Sequence, residues 1–96
     1  MPLESKLVAK VHKYCAKNDL LYINLKDTNL NGIPDSLLIN RQGIHIWFEL
    51  KREDGSGRLS PIQTYRIAEM QGYKCKVHVV ASIEELKTIV ETYNGK

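Results

Sequence analysis

"DSLLINRQGIHIWFELK", residues 35 to 51, is the stretch whose reading decides the architecture of this chain. Residues 35–40 and 44–51 are two mainly apolar runs of strand length. The short Arg41-Gln42-Gly43 connection between them predicts a β-hairpin. Side chains alternate across a strand, so Ile44, Ile46, Phe48 and Leu50 share one face, and His45, Trp47, Glu49 and Lys51 share the other. Glu49 and Lys51 therefore point the same way, two strand rises or roughly 7 Å apart along the backbone. Asp35 opens the first strand, and an antiparallel turn returns the second strand to it. The two carboxylates thus approach each other although fourteen positions separate them.

Working outward, residues 3–17 carry helical spacing. Leu3, Leu7, Val11, Tyr14 and Cys15 gather on one arc, with Val8 at its border. Lys6, Lys10, Lys13 and Lys17 gather on a neighbouring arc, which suits either a solvated face or an edge that meets phosphate. Glu4 falls inside the apolar arc. It is either an acid placed to favour the positive end of the helix dipole or a ligand pointing toward a site below. Residues 20–26, "LLYINLK", predict a first strand, and "DTNLNGIP" after it contains the turn-prone Asn31-Gly32 pair and Pro34.

Beyond the hairpin, "REDGSGRL" is glycine-rich and charged and predicts a loop. Ser60-Pro61-Ile62-Gln63 then opens a helix: serine at the N-cap, proline at the first helical position and glutamine completing a capping box. Gly72 marks its expected end. Residues 74–80, "KCKVHVV", predict a β-branched strand. Ser82 and Glu85 form a second capping box before the apolar face of Leu86, Ile89, Val90 and Tyr93. The order is helix, three strands, helix, strand, helix, and a mixed sheet flanked by helices is the packing solution it implies.

Composition narrows the function classes. Ninety-six residues with 43% hydrophobic and 26% charged side chains are expected to form one soluble domain, residues 1–96. No run approaches the roughly 20 apolar residues of a membrane span, and lysines interrupt the first segment where a signal sequence would be apolar. A cytoplasmic location is the default expectation. Cys15 and Cys75 lack a Cys-x-x-Cys partner and suit small buried hydrophobes, and His12, His45 and His78 lack metal-ligand spacing. The net charge of +3 is compatible with nucleic acid.

Two carboxylates held together in a partly buried place repel, and a divalent cation resolves the conflict. Magnesium prefers oxygen ligands, typically one or two carboxylates completed by waters and substrate phosphate. The backbone carbonyl of Leu50 offers a further oxygen, and Lys51 would sit where a cation stabilises developing negative charge. The competing reading is a Glu49–Lys51 surface ion pair worth at most about 1 kcal/mol.

The ordered set of "GIPD", "FELK" and "GRLSPIQ" resembles the PD-(D/E)XK nuclease superfamily, and closely resembles its VRR-NUC branch, over about residues 30–80. The name-giving valine-arginine-arginine trio is not evident as a contiguous motif. The resemblance implies a restriction-endonuclease-like α/β fold with an αβββαβα core. It implies that Asp35 and Glu49 hold magnesium or manganese, that Lys51 is the catalytic lysine, and that Gln63 matches the glutamine opening the helix after the loop. Gln63 is explained equally by its cap. Glu4 matches a first-helix acid of related junction-resolving nucleases. Arg58, with the lysine stripe, is a candidate for phosphate contact; a solvated arginine is its other reading. A chain this short is similar to the small phage or bacterial kind, which acts as a homodimer on four-way (Holliday) DNA junctions. Other readings are a flap or other branched-DNA nuclease, a sequence-specific restriction enzyme, and a non-catalytic nucleic-acid-binding module on the same fold.

Overall fold

The computed structural model describes residues 3–25, 30–52, 54 and 57–94, with side chains from residue 6 onward. Its elements are α1 (Leu3–Lys17), β1 (Leu21–Asn24), β2 (Ser36–Ile39), β3 (His45–Leu50), α2 (Pro61–Gly72), β4 (Lys76–Val80) and α3 (Ile83–Tyr93). The strands form one sheet in the order β1-β2-β3-β4. The first two pairings are antiparallel and β3–β4 is parallel, with α2 in the crossover. This is the expected mixed α/β sheet with helices on both faces.

The hairpin turn follows from two residues. Gly43 takes φ +81, a left-handed conformation that glycine adopts without a Cβ penalty. Its N–H donates to the Asn40 carbonyl at 3.0 Å, and the Asn40 N–H donates to the Ile44 carbonyl at 3.1 Å. This three-residue loop sets Ser36 opposite Phe48 and Leu37 opposite Trp47. Continued by one position, the register puts Asp35 opposite Glu49.

The strand alternation divides the interior into two layers. Leu38, Ile46, Phe48, Leu50 and Val80 face α1 and α3, meeting Leu7, Val11, Cys15, Leu86 and Val90 in the main core. On the other face Leu37, Val77 and Ile67 of α2 form a smaller buried layer. Leu21 of β1 and Val79 of β4 lie on that face and stay exposed, so α2 covers only part of it. Glu49, between Phe48 and Leu50, points to the α2 side. Both cysteines are free, and burial pushes the Cys15 thiol up to about 11, so it acts as a core hydrophobe.

Several expected boundaries shift. β1 is shorter than residues 20–26, of which Lys26 lies outside the described residues. α2 ends at Gly72, as expected, with its cap at Tyr73, and Lys74 takes the left-handed position at φ 68. The Cys75 N–H closes on the Met70 carbonyl at 3.0 Å, which fixes the reversal after the helix. α1 ends the same way, with Asp19 at φ 59 and the Leu20 N–H on the Cys15 carbonyl at 3.0 Å. At α3, Ser82 accepts from the Glu85 N–H, but the Glu85 carboxylate reaches the N–H of Ala81 rather than that of Ser82.

Candidate active site

The ends of β2 and β3, the 30–33 turn and the first turn of α2 enclose a cavity of about 320 Å³. Asp35, Glu49, Leu50, Lys51 and Gln63 all line it, together with Leu25 and residues 30–33. The structure therefore brings the two acids, the lysine and the glutamine to one wall.

Glu49 is only 4% exposed, which is unusual for a carboxylate and requires polar partners. Its Oε1 accepts the Asp35 N–H at 3.2 Å, and its Oε2 accepts from Gln63 Nε2 at 3.0 Å. The Lys51 ammonium lies 3.9 Å from the same Oε2. Asp35 Oδ1 accepts from Ser36 Oγ at 3.0 Å and from the Leu50 N–H at 3.2 Å. In an extended strand a residue's N–H and carbonyl point the same way, so the Leu50 carbonyl also lies on the Asp35 side.

Gln63 caps its helix and also reaches Glu49. Its Oε1 accepts the Ser60 N–H at 2.9 Å, and its own N–H donates to Ser60 Oγ at 3.3 Å, a complete capping box. The remaining amide end reaches Glu49. One side chain thus starts α2 and ties its first turn to the acid on β3.

Lys51 is held from two sides. Its Nζ donates to the Arg58 carbonyl at 3.0 Å, so the loop after β3 folds back over it. Gly57 permits this approach, because a Cβ there would meet the Lys51 stem at 3.2 Å and the Arg52 nitrogen at 3.3 Å. The opposite wall is fixed as closely. Gly32 has φ +80, and a Cβ on it would sit 2.5 Å from the Ile62 carbonyl oxygen. Arg66 of α2 donates to the Asn31 carbonyl at 3.1 Å, clamping the turn onto the helix. Arg66, Ser36 and Tyr22 escaped the sequence reading. Only the glycine of the Asn31-Gly32 pair signalled a special backbone there.

The donor set fits a hard divalent cation. It consists of carboxylate oxygens with a main-chain carbonyl on the same side, in a cavity with room for water. Among the described residues, no group of three or more His, Cys, Asp or Glu side chains is placed to hold a metal. Two carboxylates are within the usual protein contribution to a magnesium shell. The Glu4 side chain lies outside the described residues.

The basic residues fall elsewhere. Lys6, Lys10, Lys13 and Lys17 are exposed on α1. Lys10, Lys13 and Lys17 line a separate groove between α1 and α3 with Tyr14 and Lys87, on the other layer of the fold from α2. The Arg58 residue is exposed, and its backbone rather than its guanidinium reaches the site.

An acid pair and a lysine thus stand at the ends of two paired strands, backed by a helix. A solved structure described as "VRR_NUC domain" shares this fold with a TM-score of 0.82 at 20% sequence identity, over 97% of this chain and 99% of that one. No protein-family model matches the sequence, and no curated protein matches it. The chain has the VRR-NUC fold.

Proposed function

We propose that this protein is a metal-dependent, structure-specific DNA endonuclease that resolves four-way junctions as a homodimer, its 96 residues acting as one nuclease domain in the cytoplasm. The observation that carries the reading is the convergence of Asp35, Glu49 and Lys51 on one cavity wall. Asp35, Glu49 and the Leu50 carbonyl would hold magnesium or manganese, with Glu4 as a further ligand from α1. The bound cation would supply the charge that polarises the phosphodiester and acidifies a water for in-line attack. Lys51, steadied by the Arg58 carbonyl, neutralises charge that develops on the phosphate. Gln63 keeps Glu49 oriented from α2. The lysines of α1 and the Arg58 guanidinium take backbone phosphate, which positions DNA without reading sequence. No described helix is long and apolar enough to cross a membrane. The exposed apolar side chain of Leu21, beside half-buried Ile39 on the sheet face that α2 leaves bare, supports a second copy docking there.

Purified protein is incubated with a labelled four-way junction, with and without magnesium or manganese. Cleavage is expected only with the metal, leaving a 5′-phosphate and a 3′-hydroxyl. Lys51→Ala is expected to slow it by about 10²- to 10³-fold, the usual effect of removing a charge-stabilising donor. Cleavage that survives both Asp35→Ala and Lys51→Ala in folded protein overturns the assignment.

A further inference from the structure

Asp35 is reached from the opposite face of the sheet by a chain of hydroxyls. Ser36 is 1% exposed, on the core side of β2, and its Oγ lies 3.0 Å from Asp35 Oδ1. The Tyr22 hydroxyl lies 2.8 Å from the same Oγ. Proton inventory sets the direction. A serine hydroxyl has one hydrogen, and a carboxylate only accepts, so Ser36 donates to Asp35 and must accept from Tyr22. The phenol is itself seated by α1, where the His12 ring packs edge-on against it at a centroid distance of 4.5 Å. The Leu50 N–H supplies a second donor to Oδ1 at 3.2 Å.

We propose that Tyr22 and Ser36 are positioning residues that aim Asp35 at the cation. The proposal rests on the metal-site reading above. Two donors on Oδ1 fix the rotation of the carboxylate and orient its lone pairs, the part that outer hydrogen bonds play around metal ligands in general. A purely structural role for the pair would satisfy the buried Ser36 hydroxyl and its part-buried Tyr22 partner and leave metal affinity untouched.

The test measures Mn²⁺ binding to the full chain without DNA, from the loss of the free-ion paramagnetic resonance signal, alongside the melting temperature. Wild type binds and Asp35→Ala does not. Ser36→Ala is expected to weaken Mn²⁺ binding by about 10- to 100-fold. Tyr22→Phe should move it in the same direction by less, because Ser36 still donates. Ser36→Thr, which restores the hydroxyl, is expected to return binding to near the wild-type value. If Ser36→Ala does not fold, the near-isosteric Tyr22→Phe decides the matter. Affinities of folded Ser36→Ala and Tyr22→Phe within twofold of wild type overturn the relay while leaving the metal site standing. Failure of the wild type to bind Mn²⁺ overturns the metal site, and the relay with it.

Discussion

At the turn end of the β2–β3 hairpin, the buried Asn40 side chain commits all its hydrogen-bonding groups to neighbours. Its Oδ1 accepts from the N–H groups of Gln42 and Ile44 at 2.9 and 3.0 Å. Its Nδ2 donates to Asn94 Oδ1 at 3.0 Å and to the Tyr93 carbonyl at 3.4 Å. At the other end of the same hairpin, Asp35 and Glu49 also accept from backbone and side-chain donors. The difference is charge. Asn40 is neutral and complete, whereas the two carboxylates lie side by side on one wall with Lys51. Like charges brought together in a poorly hydrated place cost stability. A buried polar group that completes itself is explained by the fold; under the proposed function, the acids held side by side are explained by the cation they would bind.

Exchanging the roles experimentally tests that distinction with the largest expected effects. Asn40→Ala strands the Gln42 and Ile44 N–H groups and releases α3 from the turn. It should lower unfolding free energy by about 2–3 kcal/mol and leave cleavage per folded molecule near wild type. Asp35→Asn keeps an oxygen for Ser36 and Leu50 while removing one charge. It should melt no lower than wild type and lose cleavage at least about hundredfold. Chemical denaturation and junction cleavage on both variants give the answer. Asp35→Asn destabilising as much as Asn40→Ala would erase the contrast.

A second pair of substitutions compares the two ends through their glycines. Gly43 and Gly32 share a left-handed backbone, φ +81 and +80, but nothing lies within 4 Å of a Cβ on Gly43. Gly43→Ala should therefore cost only the conformational penalty, about 1 kcal/mol. Gly32→Ala adds a collision with the Ile62 carbonyl and must lift the turn from α2. A loss of about 2 kcal/mol or more is expected. Because Gly32 lines the cavity with Asp35, cleavage should fall too, which Gly43→Ala should not cause. Equal denaturation midpoints for the two variants would contradict the docking of the turn.

What was legible in the sequence is what short-range rules determine. Alternation in residues 44–51 placed Phe48 in the core and Glu49 opposite it, and a three-residue turn with glycine gave the register that brings Asp35 to Glu49. The Ser60–Gln63 box was legible because capping is a contact across one helical turn. For Gln63 a site role and a cap were both open, and its bond to Glu49 was not legible, since the sequence does not say how α2 lies on the sheet. The β1–β2 register was hidden for a similar reason. The connection between those strands is long, so nothing local says that Tyr22 lies opposite Leu38 and beside Ser36. The Arg66 bond to Asn31 spans thirty-five positions and carries no periodic signal. The end of α2 at Gly72 was legible, but the left-handed backbone at Lys74 was not, because glycine is a preference and not a requirement at that position.

The smallest effect concerns pH, and it sharpens the comparison by asking which region senses acid. His78 packs between Phe48 and Tyr93, each ring centroid 5.8 Å away, and its Nε2 is 3.0 Å from the Tyr93 hydroxyl. Burial lowers its pKa below the ordinary 6.5, because the charged ring loses hydration. The unfolded chain therefore binds the proton more readily. Stability that is present above about 6.5 is lost as pH falls through the lower folded value. Melting temperature should decline from pH 7.5 to pH 5 for wild type and decline less steeply for His78→Gln, which keeps a polar group near Tyr93 but does not titrate. The carboxylates of the site are present in both proteins, so the difference in slope isolates the histidine. Parallel slopes would assign the acid sensitivity to other groups, the Asp35–Glu49 end first among them, and leave the His78–Tyr93 contact with no pH-dependent role.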